Sequence, residues 1–374
     1  MQYSRFYCFY PWLVVVAFAV TFISPSLVAA KCSLTEDCIT DYDQSQCSPG
    51  QYLTANVTVS GCCPGCKAFG APGNTCSAGK PCAPGLKCVF SGATSACVID
   101  NTTCVYPMHL PTDEKPIYPP SCDSDGSFSP VQCKGDRLVG RCFCSNALGK
   151  RIFGMTWAKD SKNMTCACSR RRADLEALGR TDVTLHCASN GNYEPLQCDS
   201  GLCWCAEFKT GEAESMVVSE DLVSMLPCYD EDKYGSQYLR KCESKSYAIA
   251  VLKNKLALHG VGQVTMASPN CDYDGTYGVY QIENGIAYCS WKDGGRIGPY
   301  QTEAGAVLSL VNCNCARDMK YFEEVGMIMS QTCKGNGNYQ GVQQLDGQLY
   351  CVDSDGFATT DLKPLGEELY CGAW

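Results

Sequence analysis

The fold of this chain is decided by a short stretch, GNYEPLQCDSGLCWC, at residues 191–205. Aligning the chain with itself on the cysteine just before that stretch finds the same pattern four times, as repeats 1 to 4. The aligned columns are cysteine (Cys122, Cys187, Cys271, Cys333), glycine (Gly126, Gly191, Gly275, Gly337), aromatic (Phe128, Tyr193, Tyr277, Tyr339) and glutamine (Gln132, Gln197, Gln281, Gln343). A fourfold self-similarity of this kind indicates small domains in tandem rather than one large core.

The cysteine content indicates the class of protein. The 374 residues include 31 cysteines and only 3 histidines, and the formal net charge is −9. Cysteine at this density is typical of a disulfide scaffold. A basic start at Arg5, an apolar run over 13–23 and the small residues Val28-Ala29-Ala30 predict a secretory signal peptide over 1–30. Its removal would take Cys8 away and leave an even set of cysteines.

Several classes are excluded by the same composition. No other apolar stretch approaches the roughly 18 residues that span a bilayer, and an acidic chain without a long basic run is a poor nucleic-acid binder. We therefore expect a secreted, extracellular protein with no cytosolic metal-thiolate site. Three sequons, at Asn56, Asn101 and Asn163, predict glycosylation in that compartment.

Repeats 1 and 2 carry a recognisable signature. Repeat 2 has Gln197-Cys198 followed by Cys203-Trp204-Cys205, and repeat 1 has Gln132-Cys133 followed by Cys142-Phe143-Cys144. This signature resembles the thyroglobulin type-1 domain. The resemblance implies small disulfide-rich modules in tandem, each with a short helix and a small antiparallel β-hairpin or sheet. The implied boundaries are 104–166, 168–228, 242–313 and 315–371 for repeats 1 to 4, with a linker at 229–241.

The resemblance also implies that the cysteines pair sequentially within each repeat. The implied pairs are Cys104–Cys122, Cys133–Cys142 and Cys144–Cys166 in repeat 1, Cys168–Cys187, Cys198–Cys203 and Cys205–Cys228 in repeat 2, Cys242–Cys271 and Cys289–Cys313 in repeat 3, and Cys315–Cys333 and Cys351–Cys371 in repeat 4.

Repeats 3 and 4 depart from the family because both partners of one bridge are missing. The positions of Cys198 and Cys203 are taken by Ile282 and Ala287 in repeat 3, and by Gln344 and Leu349 in repeat 4. The spacing predicts a two-residue hairpin, and the Asn-Gly and Asp-Gly pairs at 284–285 and 346–347 suit a type I′ turn. We expect cross-strand pairs to stand in for a bridge that closes a short loop and contributes only about 2 kcal/mol.

Helical patterns follow the first cysteine of repeats 2, 3 and 4, over Arg171–Leu178, Tyr247–Leu258 and Met319–Ile328. In repeat 1 five prolines between Pro107 and Pro120 forbid a continuous helix. Single residues join repeats 1 and 2 and repeats 3 and 4. We therefore expect two rigid pairs, connected by a flexible acidic link at 229–241.

Residues 31–100 form a separate cysteine-rich module for which we expect little regular structure. The run GCCPGCKAFGAPGNTC from Gly61, followed by PCAPGLKC from Pro81, resembles the N-terminal domain of insulin-like growth factor binding proteins. The chain lacks that family's upstream Gly-Cys, since Val59-Ser60 stands there. An epidermal-growth-factor-like or inhibitor module therefore remains an alternative.

An enzymatic function is not expected. His109, His186 and His259 lie in the proline-rich segment, beside a cysteine and at a predicted helix end, respectively. None belongs to a motif with a serine or cysteine nucleophile, and the sequence has no HExxH motif, nucleophile elbow or phosphate-binding glycine loop. We expect surface histidines, no cofactor and no metal site.

Protease inhibition is the function that the resemblance favours, since some thyroglobulin type-1 domains resemble wedges that insert loops into the cleft of papain-like cysteine proteases. A disulfide-braced loop suits that role because its binding costs little ordering entropy. In repeat 1 the candidate loops are the proline-rich segment and the turn Lys134–Gly140, which is longer than its counterparts. The expected contact residues are Pro107, Pro111, Lys134, Asp136, Arg137 and Leu138.

Two alternatives stay open, both with a monomeric protein in contact with an extracellular partner. Leu86, Val89 and Phe90 form a candidate apolar patch for an insulin-like peptide. A structural role in the extracellular matrix would suit repeats 3 and 4. The run Arg170–Arg172 is either a processing site, a glycosaminoglycan contact or a solvated helix face.

Overall fold

The structure, a computed structural model, describes residues 43–55, 57, 63–136, 139–180, 182–235, 237–262 and 266–371. The expected signal peptide over 1–30, Asn56, Arg137 and Leu138 lie outside the described residues. The chain divides into two compact units. The first unit comprises the described residues up to Gly70 together with Ser77–Pro81. The second unit comprises Ala71–Cys76 together with the described residues from Cys82 onward.

Short hairpins form the regular structure that precedes the repeats. In the first unit β1 (Gln51–Thr54) pairs with β2 (Gly65–Ala68), and a disulfide joins Cys47 to Cys66. In the second unit β3 (Leu86–Ser91) pairs with β4 (Thr94–Ile99). The disulfides Cys76–Cys88 and Cys82–Cys97 tie this second hairpin to the chain before it.

Each of the four sequence repeats contains one three-stranded antiparallel sheet. The strands are β5 (Val131–Lys134), β6 (Arg141–Ser145) and β7 (Arg151–Trp157) in repeat 1, β8 (Leu196–Asp199), β9 (Leu202–Cys205) and β10 (Val218–Ser219) in repeat 2, β11 (Tyr280–Glu283), β12 (Ile286–Ser290) and β13 (Arg296–Glu303) in repeat 3, and β14 (Val342–Leu345), β15 (Gln348–Cys351) and β16 (Lys363–Pro364) in repeat 4. The middle strand of each sheet carries an aromatic residue followed by a cysteine, at Phe143-Cys144, Trp204-Cys205, Tyr288-Cys289 and Tyr350-Cys351. The predicted class, small disulfide-rich modules in tandem, is confirmed.

The repeated glutamine ties the sheet to the chain just before the second cysteine. Gln197 accepts a hydrogen bond from the backbone N–H of His186 at 2.9 Å and donates one to the carbonyl of the same residue at 2.7 Å. The other glutamines make the same two bonds, Gln132 with Ser121, Gln281 with Asn270 and Gln343 with Thr332. A glutamine has both a donor and an acceptor, so it satisfies two backbone groups at once.

The repeated aromatic packs over a glycine. A Cβ atom at Gly149 would lie 2.8 Å from the ring of Phe128, so no side chain fits there. The same arrangement recurs in Gly211 under Tyr193, Gly294 under Tyr277 and Gly356 under Tyr339. All four glycines have positive φ, which other residues rarely adopt. The repeated aromatic residue is therefore explained by close packing against this glycine and not by a ligand site.

Thirteen disulfides join described cysteines, ten of them within the four repeats. The ten follow the sequential order that the resemblance implies, from Cys104–Cys122 to Cys351–Cys371. So many disulfides fit an extracellular protein.

The repeats that lack a bridge close their hairpins as the spacing predicts. Ile282 lies opposite Ala287, and Gln344 lies opposite Leu349, in the register of the bridged pair Cys198–Cys203. The turn residues have positive φ: Asn284 and Gly285 in repeat 3, and Asp346 and Gly347 in repeat 4. These are the angles that a type I′ turn requires.

Among the described residues, three of the four α-helices contain the first cysteine of a repeat as their second residue and begin earlier than the pattern predicts. The helices are α1 (Ala167–Ala177), α2 (Glu231–Tyr234), α3 (Lys241–Leu258) and α4 (Asn314–Glu324). Cys166 and Cys313 adopt left-handed φ values of 58° and 52° immediately before α1 and α4. At α1 and α4 the disulfide-bonded cysteine therefore sets the start of the helix, a constraint that side-chain periodicity does not reveal, whereas α3 begins after the extended Arg240. Repeat 1 has no α-helix among its described residues, in agreement with its prolines.

The segment at 229–241 is not a flexible link, and that prediction is wrong. Its first half includes α2, and Tyr238 is only 4% exposed and stacks on His186 at 4.2 Å between ring centroids. Arg240 binds both carboxylate oxygens of Glu194 at 2.7 Å. The segment is therefore packed between repeats 2 and 3. Repeats 1 and 4 also contact each other, for example through Lys134 and Asp353.

Candidate functional site

The proline-rich segment of repeat 1 forms a loop with an exposed tip. Tyr106–His109 makes one turn of 3-10 helix, and the backbone N–H of Glu114 donates to the carbonyl of Pro111 at 3.0 Å. Residues 111–115 are all exposed, and the apolar side chains of Met108 and Ile117 are 49% and 42% exposed. The loop thus presents apolar and charged side chains to solvent on a defined backbone.

Both ends of this loop are fixed. The disulfide Cys104–Cys122 closes it, and Gln132 holds the backbone of Ser121 by two hydrogen bonds. The ring of Tyr118 packs edge-on against Phe357 of repeat 4, with 5.8 Å between centroids. The tip therefore projects from a base that repeats 1 and 4 build together.

The second predicted loop, between β5 and β6, is folded back on itself. The Asp136 carboxylate accepts a hydrogen bond from the N–H of Val139 at 2.9 Å. The backbone carbonyl of Asp136 accepts a second one from the N–H of Gly140 at 2.8 Å. A Cβ atom at Gly135 would lie 3.0 Å from the ring of Phe357, so this loop touches repeat 4. Its exposed described residues are Asp136 and Val139.

Lys134 is not a free contact residue. Its ammonium group binds Asp353 at 2.7 Å and Asp355 at 2.8 Å, both in repeat 4. Burial opposes the charge on this ammonium, but the carboxylates of Asp355 and Asp353 outweigh burial and raise the pKa of Lys134 above its usual range. The side chain therefore holds repeats 1 and 4 together.

The interface between repeats 1 and 4 combines three cations with three carboxylates. Besides Lys134, the cations are Arg141, paired with Asp318, and Arg151, whose guanidinium lies 3.2 Å from Asp355. Burial opposes ionisation of Asp355, but Arg151 and Lys134 outweigh it and lower the pKa of that carboxyl. Arg141 and Asp318 are 4% and 1% exposed, so each charge needs the opposite charge beside it to offset the free-energy cost of burial.

Aromatic rings surround these charges. Trp157 of repeat 1 packs on Tyr321 and Phe322 of repeat 4, with centroid distances of 5.5 and 5.2 Å. The guanidinium of Arg141 lies 4.9 Å from the centroid of the Phe357 ring. Sequence reasoning missed this interface, because its partners, such as Lys134 and Asp353 at 219 positions, lie far apart in the chain.

The two predicted loops meet at one cavity. Its volume is about 260 Å³, and Pro107 and Tyr118 line it on one side and Lys134 on another. Arg151, Asp353 and Asp355 complete its polar wall. The structure thus brings Pro107 and Lys134 together, while Pro111 lies on the exposed tip.

The predicted patch at Leu86, Val89 and Phe90 is divided by strand geometry. Alternate residues of β3 point to opposite faces, so Leu86 and Phe90 share a face and Val89 lies on the other. Leu86 is half-buried, whereas Phe90 is 70% exposed and Val89 is 42% exposed. The three residues do not form one continuous patch on one face.

One of the three histidines is buried, contrary to the prediction. His109 and His259 are exposed, but His186 is fully buried, and its Nε2 lies 2.6 Å from a carboxylate oxygen of Glu243. The stacked ring of Tyr238 covers one face of the imidazole. His186 is therefore part of the contact between repeats 2 and 3.

The arginine run is divided between contacts and solvent. Arg170 donates to the carbonyls of Ser145 and Phe128 in repeat 1, and Arg172 donates to the carbonyl of Leu185 at 2.6 Å. Only Arg171 is exposed. A processing protease would need the backbone here, but it lies in α1.

Three sulfur atoms lie close enough to suggest a metal site, those of Cys76, Cys82 and Cys88. All three belong to the disulfides Cys76–Cys88 and Cys82–Cys97, so they offer no thiolate ligands. Asn101 and Asn163, the two described sequon asparagines, are exposed. Among the described helices, none combines the length and the hydropathy that crossing a membrane requires.

Comparison with known proteins identifies two of the repeats. Residues 107–166 and 170–219 match the family described as thyroglobulin type-1 repeat. Thyroglobulin of Sus scrofa is 29% identical over 169 residues, which cover 43% of this chain and 5% of that protein. Equistatin of Actinia equina is 34% identical over 98 residues, which cover 24% of this chain and 40% of equistatin. Nidogen-2 of Mus musculus is 31% identical over 110 residues, or 24% of this chain and 8% of nidogen-2.

These alignments are partial, since the chain spans only 5% to 8% of the length of the thyroglobulins that it matches. They nevertheless confirm the family resemblance at the two repeats whose signature is most complete. Residues 107–166 and 170–219 are therefore the part of the chain that matches the thyroglobulin type-1 repeat.

Proposed function

We propose that the protein is a non-enzymatic extracellular inhibitor of papain-like cysteine proteases, and that the tip of the proline-rich loop, Pro111–Lys115, enters the protease cleft. The observation that carries the proposal is the combination of an exposed tip with two fixed ends. Cys104–Cys122 closes the loop, and Tyr118 packs on Phe357. A loop already held in one shape loses little entropy on binding, so its contacts add more directly to affinity.

The contact surface in this proposal differs from the predicted one. Pro111 stays in it, together with the exposed Met108 and Ile117. Pro107 and Lys134 leave it, because Pro107 lines the cavity at the base and Lys134 pairs with repeat 4. Asp136 shapes the neighbouring loop through its bond to the N–H of Val139. Repeat 4 thus supports the contact loop without touching the protease.

The proposal includes repeats 3 and 4 as divergent members of the same family. In support, both have the sequential disulfides, the glutamine bonds and the aromatic packed on glycine that repeats 1 and 2 have. Their hairpins replace the missing bridge by paired strands. In this proposal they are supports for repeat 1 rather than inhibitory units.

The test is an inhibition assay with the full-length protein and papain. We expect saturable inhibition at micromolar concentrations of the protein. Pro111→Arg places a charge at the tip and keeps the carbonyl that Glu114 binds, and it should weaken inhibition at least about tenfold, or 1.4 kcal/mol. Leu178→Arg is the matched control, because Leu178 is 80% exposed in the corresponding segment of repeat 2. Unchanged papain activity with the folded wild-type protein would refute the proposal.

A second candidate function is favoured by one specific observation, the 70% exposure of Phe90 at the end of the β3–β4 hairpin. An insulin-like peptide is the corresponding partner, and the module at residues 31–100 would be its binding domain. The matched family stretches begin at residue 107, after this module. Retention of an insulin-like peptide by the immobilised protein, reduced by Phe90→Ser, would support this function, and equal retention by both proteins would exclude it.

A further inference from the structure

The two single-residue joints of the chain create two equivalent junctions. At the first, between repeats 1 and 2, the N–H of Met155 donates to the carbonyl of Ser189 at 2.8 Å. At the second, between repeats 3 and 4, the N–H of Gln301 donates to the carbonyl of Gly335 at 2.9 Å. The residue before the helix is left-handed at both joints. The outer strand and the following helix therefore meet in the same way twice.

At the first junction an aromatic side chain from elsewhere in the chain fills the angle between strand and helix. Tyr273 of repeat 3 lies 6.0 Å from Phe153 of β7, measured between ring centroids. The guanidinium of Arg172 in α1 lies 4.7 Å from the centre of the tyrosine ring. The tyrosine hydroxyl donates to the carboxylate of Glu176 at 2.8 Å. One strand residue and two helix residues thus define the tyrosine site.

At the second junction the counterparts of those three residues line an open groove. Alignment on Cys166 and Cys313 places Met319 at the position of Arg172 and Glu323 at that of Glu176. Alignment of the equivalent strand donors, Met155 and Gln301, places Pro299 at the position of Phe153. All three line a groove of about 500 Å³, whose apolar wall includes Trp291 and Ile297. No side chain of the described residues takes the place that Tyr273 takes at the first junction.

We propose that this second groove, between β13 and α4, is a docking site for an exposed tyrosine on a tight turn of a partner protein. The occupant is inferred from the first junction, where the equivalent position holds the tyrosine of such a turn. Around Tyr273 the N–H of Gly275 donates to the carbonyl of Asp272 at 3.0 Å, and Asp274 accepts from the N–H of Thr276 at 3.0 Å. The site does not depend on the inhibitory function proposed for repeat 1.

The chemistry of the groove suits a tyrosine better than a charged or aliphatic side chain. Met319 supplies a polarizable sulfur, which makes favourable contacts with aromatic rings. Glu323 supplies the acceptor for a phenolic hydroxyl, at the position where Glu176 accepts from Tyr273. At the rim two acids, Asp293 and Glu323, balance two bases, Arg296 and Lys320, so the rim favours a neutral occupant.

The probe for this site is a cyclic peptide that copies residues 272–276 of the chain, Asp-Tyr-Asp-Gly-Thr. Its binding to the full-length protein is measured by calorimetry and by the fluorescence of Trp291, with Trp291→Phe to identify the responding residue. We expect one saturable site with millimolar affinity. A peptide with alanine in place of the tyrosine should not bind, and a phenylalanine peptide should bind several-fold more weakly.

Three variants locate the site. Met319→Glu should abolish binding, and Met319→Arg, which restores the first junction's cation over the ring, should tighten it two- to fivefold. Glu323→Gln should weaken the tyrosine peptide and leave the phenylalanine peptide unchanged. Met327→Glu, at an exposed methionine after α4, is the matched control and should have no effect. Circular dichroism with the disulfides intact checks that each variant is folded.

The outcomes that overturn the proposal are distinct. It fails if the peptide gives no saturable signal, or if folded Met319→Glu binds as well as the wild type. It also fails if sedimentation shows self-association that Met319→Glu abolishes, because the occupant would then be a second copy of this chain. Failure of papain inhibition leaves this test unaffected, since the groove lies in repeats 3 and 4.

Discussion

Repeats 1 and 2 match the same family model and each have a three-stranded antiparallel sheet, yet they use the segment after their first cysteine in opposite ways. In repeat 2 this segment is α1, and Arg172 and Glu176 on that helix hold Tyr273 of repeat 3. In repeat 1 prolines prevent the helix, and residues 111–115 point into solvent. The segment after the first cysteine is therefore part of an interface between repeats in repeat 2, whereas in repeat 1 it is a solvent-exposed loop.

The difference has a consequence for how each repeat is anchored. Repeat 2 uses its helix to contact Tyr273 of repeat 3, whereas the charged contacts of repeat 1 with repeat 4 lie on its sheet, at Lys134, Arg141 and Arg151. Anchoring through the sheet leaves the proline-rich loop available. A repeat whose first segment is already used for packing is a poorer inhibitor candidate.

The largest expected effect comes from removing the anchor of repeat 1. Arg141→Ala leaves the carboxylate of Asp318, 1% exposed, with only the more distant Arg151, at 3.8 Å, and breaking a buried pair from one side costs about 3–5 kcal/mol. The measurement is the free energy of unfolding in guanidinium chloride with disulfides intact. Arg171→Ala, at the exposed arginine of repeat 2, should change it by less than about 0.5 kcal/mol. Equal effects of the two substitutions would contradict the buried interface.

A smaller effect is expected from converting the hairpin of repeat 2 into that of repeat 3. The double variant Cys198→Ile with Cys203→Ala removes a bridge that closes a short loop, worth about 2 kcal/mol in the chain-entropy model. The cross-strand pairing should survive, because repeat 3 keeps the same register without the bridge. Unfolding and hydrogen exchange at β8 and β9 provide the measurement. Complete loss of protection in these strands would show that paired strands cannot replace the disulfide.

Some features of the structure follow from neighbouring residues in the sequence, and others depend on contacts between distant repeats. The glutamine and aromatic columns, the type I′ turns and the absence of a helix in repeat 1 follow from residues within about twenty positions of one another. Local patterns of this kind can be recognised without a structure. The starts of α1 and α4 were missed by several residues, because a left-handed cysteine and not a periodic side chain sets them.

The contacts between repeats were not predictable in the same way. Lys134 and Asp353 are 219 positions apart, and nothing in either local pattern marks them as partners. For the same reason His186 was expected on the surface, and the segment containing Tyr238 was expected to be flexible. Both are buried because two repeats meet there. The proposed protease contact surface also differs from the predicted one, because Lys134 pairs with Asp353 and Asp355 of repeat 4.

An effect confined to acid is expected from Asp355. The pKa of this carboxyl in the folded state is below its unfolded value of 3.8. A lowered folded pKa adds stability that is fully present above the unfolded pKa and is lost as the pH falls through the folded pKa. Wild-type stability should therefore decline below about pH 4 more steeply than that of Asp355→Asn. Parallel pH profiles for the two proteins, in urea unfolding from pH 2 to 6, would contradict the assignment.

The smallest expected effect on stability, and the largest on function, belongs to the loop tip. Pro111→Arg in repeat 1 and Leu178→Arg in repeat 2 both place a charge on an exposed segment, so each should leave unfolding nearly unchanged. The decisive measurement is the inhibition constant for papain of the full-length wild-type protein and of these two variants. We predict inhibition by the wild type and by Leu178→Arg, weakened at least about tenfold in Pro111→Arg. Equal inhibition by all three proteins, or none by the wild type, would contradict the claim that the proline-rich loop is the inhibitory element.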